Sequence, residues 1–300
     1  MKALANYIMK GRVPAIIACT GFSVFSLLFP PLSYLSGAVI SLVTLRVGSG
    51  QGLVLAILST LMVGGLTMAF MGSGLYAMVV LVAVWLPVWI VSTVLRQTVS
   101  LNLALLVAVG MALLAIIAFH LAIPDTEAFW KDIISKFLAE SGNSVPEIRQ
   151  EDVIESTVPI ATAALGATFL LSTSLCLFLG RWWQALLYNP GGFGKEFREL
   201  QVNKVFAMTT LAVVTAAMLM SELGGLLSDL SVVMIAYCAI GGLALFHDWV
   251  EKTKANTIWL IVVYVFLLFA APQMLTVLAM IGIGDSWGNL RQRIKKGGQP

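Results

Sequence analysis

Charged side chains are scarce in this sequence of 300 residues. Acidic and basic residues together make up 11% of the chain, whereas hydrophobic residues make up 59%. Soluble domains typically contain about 25% charged residues, because charges cover the surface that faces water. The composition therefore excludes a soluble enzyme, a nucleic-acid-binding domain and a disordered chain.

Cysteine and histidine are scarce as well. Cys19, Cys176 and Cys238 lie in apolar runs without paired spacing, which excludes a disulfide framework and a cysteine metal site. With two histidines and no zinc-protease or paired-cysteine motif, we predict no enzyme activity, no metal and no cofactor. His120 is the best ionisable candidate inside an apolar run. It is a candidate for substrate binding, and a structural histidine is the alternative.

Nucleotide-binding motifs are also missing. The run Gly191–Lys195 suggests a phosphate-binding loop, but that motif requires Gly where Asn189 stands and Ser or Thr where Glu196 stands. A transport function would therefore take its energy from another protein.

The long apolar runs predict an all-α fold, a polytopic helical transmembrane bundle of about eight to ten spans with short loops. A span needs about 20 apolar residues to cross a hydrocarbon core of roughly 30 Å, and Pro30-Pro31 breaks the first run into a hairpin. The predicted spans are 13–29, 32–47, 53–71, 75–95, 101–123, 158–180, 205–220 and 230–246. We interpret 1–300 as one membrane domain, with five spans in 1–123, an extracytoplasmic segment in 124–157, further spans in 158–284 and a basic tail in 285–300.

The last apolar run, 257–283, allows two paths. A single span would place the basic tail opposite the N-terminus, whereas two half-spans that bend at Pro272 would return it to the same side. We favour the broken pair, because it keeps the basic tail on the side of the other basic loops.

Residues 124–157 form a polar segment with eight acidic and three basic residues between Pro124 and Ser156. Apolar side chains recur at helical spacing over Thr126–Glu140, and Asp125 stands at the N-cap position. We predict an amphipathic helix at the membrane interface. The alternative is a lid over an outward-facing cavity.

Basic loops alternate with the acidic ones along the chain. The loops that contain Lys10, Arg46, Arg96, Lys195 and Lys252 all fall on one side of the predicted bundle. Because cytoplasmic loops are enriched in Lys and Arg, the pattern predicts a multi-pass protein of the lipid bilayer with a cytoplasmic N-terminus.

Two features are candidates for partner binding. Small residues recur at four-residue spacing on the first span, and the loop 181–204 combines aromatic, basic and turn-forming residues. Internal helix packing is the alternative for the span, and an interfacial anchor with a turn is the alternative for the loop. The candidates are Gly11, Ala15, Cys19 and Ser23 on the span, and Arg181, Trp182, Trp183, Asn189, Pro190, Gly191, Gly192, Phe193, Glu196, Phe197 and Arg198 in the loop.

Three short motifs resemble the YybS-like family of predicted bacterial membrane proteins, a domain of unknown function, and the similarity extends over nearly the whole chain. The motifs are Asn189–Phe193 with Glu196-Phe197, the ending Gly284–Trp287 with Arg291 and Arg293, and Leu45–Gly48 after Pro30-Pro31. The resemblance implies a bacterial inner-membrane protein. That family is distantly similar to the substrate-binding subunits of energy-coupling-factor transporters, which dock on a membrane coupling protein with two ATPases. The stripe on the first span differs from the usual alanine pair of those subunits, and no vitamin-binding residue carries over.

Two functions follow as hypotheses. The first is a transporter-like, substrate-binding subunit for uptake of an unidentified small solute, energised by a separate partner. The alternative is a scaffold or assembly protein that binds partners through its cytoplasmic loop and small-residue helix faces. A deep outward-facing pocket would favour the first hypothesis, and tightly packed spans would favour the second.

Cysteine labelling with a reagent that does not cross membranes tests the predicted topology. In intact cells we expect Ser141→Cys to react, whereas Lys195→Cys reacts only after the membrane is opened. Wild-type protein, whose three cysteines lie in apolar runs, is the control. The reverse labelling pattern would contradict the topology.

Overall fold

Helices are the only regular elements that the described residues form. The computed structural model describes residues 1–140, 147–220, 224–288 and 290–294. The helices are α1 (Lys2–Ile8), α2 (Arg12–Phe25), α3 (Leu32–Arg46), α4 (Ser49–Met71), α5 (Leu75–Val80), α6 (Leu86–Thr98), α7 (Leu101–Ala122), α8 (Thr126–Glu140), α9 (Glu147–Thr157), α10 (Ala161–Tyr188), α11 (Gly192–Arg198), α12 (Lys204–Leu219), α13 (Gly224–Thr253), α14 (Ile258–Phe269), α15 (Ala271–Gly288) and α16 (Leu290–Arg293). A π-helical turn, Leu81–Trp85, joins α5 to α6.

Several helical segments are long and apolar enough to cross a membrane, as predicted for a helical membrane protein. Five of them in the described ranges have at least 18 residues: Ser49–Met71, Leu75–Thr98, Leu101–Ala122, Arg149–Tyr188 and Gly225–Thr253. The helices α2, α3, α12 and α14 are apolar but shorter. At 1.5 Å per residue their lengths are about 18–24 Å, which is less than the hydrocarbon core of a bilayer.

Proline ends two apolar runs as predicted. The chain leaves α2 at Phe25 and enters α3 at Leu32, with Pro30-Pro31 in the turn between them. The last apolar run also divides: α14 ends at Phe269, and Pro272 lies in the first turn of α15. At that position the missing N–H of proline costs no helical hydrogen bond.

The two ends of the bundle differ in charge. At one end, Arg96 donates to the carbonyl oxygen of Leu45 at 2.7 Å, and the guanidinium of Arg46 lies 4.0 Å from the ring centre of Tyr188. We call this the basic end; its connections are 9–11, 47–48, 99–100, 189–203 and 254–257. The acidic end contains α8 and α9. Arg291 bonds to backbone of the 189–203 connection, so α15 returns to the basic end, as the broken pair of half-spans requires.

The polar segment 124–157 contains the predicted helix with its predicted bounds. The backbone N–H of Ala128 donates to the Asp125 carboxylate at 2.8 Å, so Asp125 caps α8. The second helix of this segment, α9, was not predicted, because its polar sequence has no apolar stripe. Ser141 lies outside the described residues.

The predicted end of the sixth span at Gly180 is wrong. Helix α10 continues through Arg181 to Tyr188, because Trp183 and Ala185 keep burying an apolar face after the first charged residue. Trp183 is fully buried and packs in the core with α1 and α3, so it is not an interfacial anchor. The predicted loop therefore begins at Asn189.

Helix α10 is central to the bundle. It packs against α3 on one side and against α7 and α13 on the other. Gly180 allows the approach to α3, because a Cβ at this position would overlap the side chain of Ser41. A second close crossing joins α13 to α15, where Gly242 faces the backbone of Leu278 and Gly282 faces that of Cys238. Small residues thus set the helix spacing, as expected for packing in lipid.

The α13–α15 crossing predicts a large effect of one methyl group. Gly242→Ala would place a Cβ against the carbonyl oxygen of Leu278. We expect it to destabilise the protein by about 1–3 kcal/mol, which lowers the melting temperature in detergent by several degrees. The control is Gly110→Ala in α7, where a Cβ meets no atom within 4 Å. Equal stability of the two variants would contradict the close crossing.

Candidate binding site at the basic end

The small-residue stripe of the first span faces the interior of the protein. Ala15, Cys19 and Ser23 are at most 2% exposed, whereas Gly11 is exposed at the start of α2. The stripe packs against α3, where the Cys19 thiol donates to the carbonyl oxygen of Ser36. Ala15, Cys19 and Ser23 are therefore packed inside the protein, whereas Gly11 lies at the surface.

The loop after α10 folds back onto the bundle. Its turn is the predicted one: Gly191 has φ 84°, a left-handed conformation that glycine adopts without strain, and α11 begins at Gly192. The guanidinium of Arg181 then forms a two-point ion pair with Glu196, whose Nε to Oε2 distance is 2.9 Å. The structure thus brings together two of the residues that the sequence singled out.

The aromatic face of α11 packs inward. Phe193 and Phe197 both contact Phe178 of α10, with ring centres 5.8 and 5.4 Å apart respectively. Phe197 also meets the ring of His247 edge-on at 5.3 Å. Phe193 and Phe197 therefore form an apolar face of α11, which covers a space between α10 and α13.

That space is a cavity of about 480 Å³, which we call the aromatic cavity. Most of its wall is apolar, as in typical small-molecule sites. It is lined by Leu171, Ser174, Leu175, Phe178, Leu179, Trp182, Phe193, Gly194, Phe197, Arg198, Ile240, Leu243, His247 and Tyr264. Leu175 and Tyr264 are 40% and 47% exposed, so the cavity opens sideways between α10 and α14.

Four polar groups face the aromatic cavity. Nε2 of His247 lies 2.9 Å from the hydroxyl oxygen of Tyr264, which makes this pair a donor or acceptor for a ligand. The hydroxyl of Ser174 is buried and makes no hydrogen bond with the described residues. Arg198 adds a positive charge, and its nearest acidic group, Glu251, is 4.0 Å away and largely exposed. The cavity can therefore hold an apolar body with a polar or anionic group.

A non-helical segment, residues 199–203, supports this wall through two buried side chains. Leu200 and Val202 are each 3% exposed, so the backbone between them needs partners inside the protein. Arg291 donates to the carbonyl oxygens of Arg198 and Leu200. Its Nε donates to the carboxylate of Asp285 at 2.7 Å. We call this arrangement the Arg291 clamp.

A second polar pair lies near the acidic end. Nε2 of His120 is 2.7 Å from Oδ2 of Asp229, which is 6% exposed inside α13. The pairing of Asp229 with His120 was not predicted, because 109 residues separate the two. The pair joins α7 to α13. Within the described ranges, no three side chains of His, Cys, Asp or Glu come together as metal ligands.

Sequence reasoning found part of the aromatic cavity. Trp182, Phe193, Phe197 and Arg198 were candidates, whereas the other lining residues on α10 and those on α13 and α14 were missed. The sequence around His247 and Tyr264 contains no motif that marks them as binding residues; only the rarity of histidine in the chain draws attention to His247. The turn Asn189–Gly191 is exposed and does not line the cavity.

Comparison with known proteins gives no further assignment. No protein-family profile, no curated protein and no solved structure matches this chain.

The Arg291 clamp predicts a specific stability pattern. Arg291→Met leaves the carboxylate of Asp285, whose side chain is 1% exposed, without its partner. We expect a loss of about 3–5 kcal/mol, measured as a lower melting temperature. Arg293→Met, at an exposed position on the same helix, is the control and should change stability by less than about 0.5 kcal/mol.

The double variant Asp285→Leu/Arg291→Met removes the unpaired charge and should recover part of the loss. Equal melting temperatures for Arg291→Met and Arg293→Met would show that the clamp does not support the segment.

Proposed function

We propose that the protein is a multi-spanning protein of the bacterial cytoplasmic membrane that binds an amphipathic small molecule in the aromatic cavity, as the ligand-binding part of a transport system. The observation that carries this proposal is the aromatic cavity. It lies at the basic end and not at the outward-facing end, so it supports binding of a ligand, and the direction of transport is part of the proposal. The cavity volume of about 480 Å³ lies within the range of roughly 300–1,000 Å³ that small-molecule sites occupy.

The proposed topology has ten membrane segments. Eight of them, α2, α3, α4, α5–α6, α7, α10, α12 and α13, cross from one end to the other, and α14 with α15 forms a hairpin that returns to the basic end. The excess of Lys and Arg at the basic end supports a cytoplasmic N-terminus. The acidic helices α8 and α9 then lie outside the cell.

The proposed ligand follows from the cavity wall. Phe178, Phe193 and Phe197 offer aromatic faces to an apolar body. The His247–Tyr264 pair and Arg198 offer polar contacts at the basic end, where a ligand group would reach water. The sideways opening allows the ligand to enter from the membrane interface.

We further propose that a separate membrane coupling protein with ATPases supplies the energy. The absence of a nucleotide-binding motif in the sequence and the resemblance to the YybS-like family support this. Because the small-residue stripe of α2 is buried, the exposed turn Asn189–Gly191 is the better candidate for contact with that partner. The same exposed turn is the observation that keeps the scaffold function as the second candidate.

Filling the aromatic cavity tests the proposal. Wild-type protein is purified in mild detergent from its native membrane, and bound small molecules and proteins are identified by mass spectrometry. We expect a stoichiometric amphipathic molecule with the wild type and its loss in Leu243→Trp, because the larger side chain occupies the cavity. Leu114→Trp is the control, since Leu114 is 67% exposed and lies on another helix.

Two outcomes would contradict the proposal. One is the same bound molecule, in the same amount, in Leu243→Trp and in the control. The other is a wild-type preparation that carries partner proteins but no small molecule, which would favour the scaffold function.

A further inference from the structure

Another pocket lies at the basic end, on the other side of segment 199–203. Its volume is about 300 Å³, and we call it the polar pocket. It is lined by Asn102, Leu106, Gln201, Val202, Asn203, Lys204, Tyr237 and Ser286. Six of these eight residues have side chains that can form hydrogen bonds, which is a larger share than in the aromatic cavity.

The polar pocket contains the N-terminus of α12. Asn203 is the N-cap, and its Oδ1 accepts from the backbone N–H of Val205 at 2.8 Å. A single cap leaves other N–H groups of the first turn unpaired. The helix dipole adds a partial positive charge at this position, which favours an anion. Lys204, which lines the pocket and is exposed, adds a further positive charge.

An independent feature also points to a ligand. Tyr237 lines the pocket and is 3% exposed, yet its hydroxyl makes no hydrogen bond with any described residue. Its ring is fixed edge-on against Phe206 of α12, with ring centres 4.7 Å apart. The hydroxyl is not one of the fully enclosed polar atoms that lack a partner, so it is accessible from the pocket. A molecule in the pocket can therefore accept a hydrogen bond from it.

The charges around the pocket are compatible with a bound anion. The acidic side chain of Asp285, next to the lining residue Ser286, is neutralised by Arg291. The backbone carbonyl of Asp285 is occupied as well, because it accepts from Nε2 of Gln201 at 3.1 Å. Asn102 uses its Oδ1 to accept from the N–H of Gln201, which leaves its amide NH₂ for another acceptor.

We propose that the polar pocket binds a small soluble oxyanion, a carboxylate or a phosphate, through the first turn of α12, Lys204 and the hydroxyl of Tyr237. The site is separate from the aromatic cavity and does not depend on the proposed function. In this site an oxygen of the anion would accept from the hydroxyl of Tyr237. The negative charge of the anion would lie at the positive end of the α12 dipole.

Anion titrations of the full-length protein in detergent test the proposal. Acetate and inorganic phosphate are added separately at constant ionic strength, with chloride as the reference salt, and the melting temperature is followed. Saturable stabilisation by either anion is expected, because a ligand of the folded state raises its stability. Acetate alone would indicate a carboxylate, and phosphate alone a phosphate group.

Matched variants assign the binding to the pocket. Tyr237→Phe should weaken anion binding about tenfold or more, since it removes a hydrogen bond to a charged group. Without ligand its stability should stay close to that of the wild type, because the hydroxyl has no partner to lose. Tyr7→Phe is the control, since Tyr7 is 38% exposed on α1 and lies in neither candidate site. Lys204→Gln should weaken binding several-fold, and Lys195→Gln should leave it unchanged.

Two results would overturn the inference. The first is the absence of saturable stabilisation by both anions. The second is binding that is equally tight in the wild type and in Tyr237→Phe, which would indicate a non-specific salt effect or another site.

Discussion

The ion pair between Arg291 and Asp285 is the interaction on which the basic end depends. A non-helical backbone inside an apolar bundle is tolerated only where its N–H and C=O groups have partners or line a cavity. Arg291 supplies partners for Arg198 and Leu200, and Asn102 supplies one for Gln201. The guanidinium can be buried in turn because Asp285 neutralises it.

The two candidate sites follow from this arrangement. Segment 199–203 separates α11 from α12, so that α11 closes the aromatic cavity and α12 presents its N-terminus to the polar pocket. Interrupted helices are a recurrent way to build binding sites in membrane transporters, because they place helix ends inside the bundle. The fold therefore provides two different environments within a few residues, one aromatic and one polar.

The sequence predicts those parts of the fold that depend on local properties. Apolar runs give the membrane-spanning helices, proline gives the turns before α3 and α15, and Asp125 gives the start of α8. Helix α1 was missed because seven residues are too few for a clear periodic pattern. The end of α10 was misplaced because charged side chains were interpreted as a loop, although Arg181 finds Glu196 within the bundle.

The candidate sites could be predicted only in part, because they depend on pairs that are distant in sequence. Arg291 meets the backbone of Leu200 across 91 residues, and His120 meets Asp229 across 109. The spacing of residues along the sequence does not predict contacts between residues so far apart. The aromatic residues of α11 can be picked out from the local sequence. Their inward orientation, however, depends on how α10 and α13 pack and cannot be predicted from that sequence.

A cross-linking measurement tests the central claim, that segment 199–203 is folded into the bundle. A Cβ on Gly241 would lie 3.8 Å from the Cβ of Val202, which is the usual Cβ separation in a disulfide. In a Cys238→Ala background, the pair Val202→Cys/Gly241→Cys should form a disulfide in native membranes under mild oxidation. Free thiols in that pair, together with ready labelling of Val202→Cys by a hydrophilic reagent, would contradict the account.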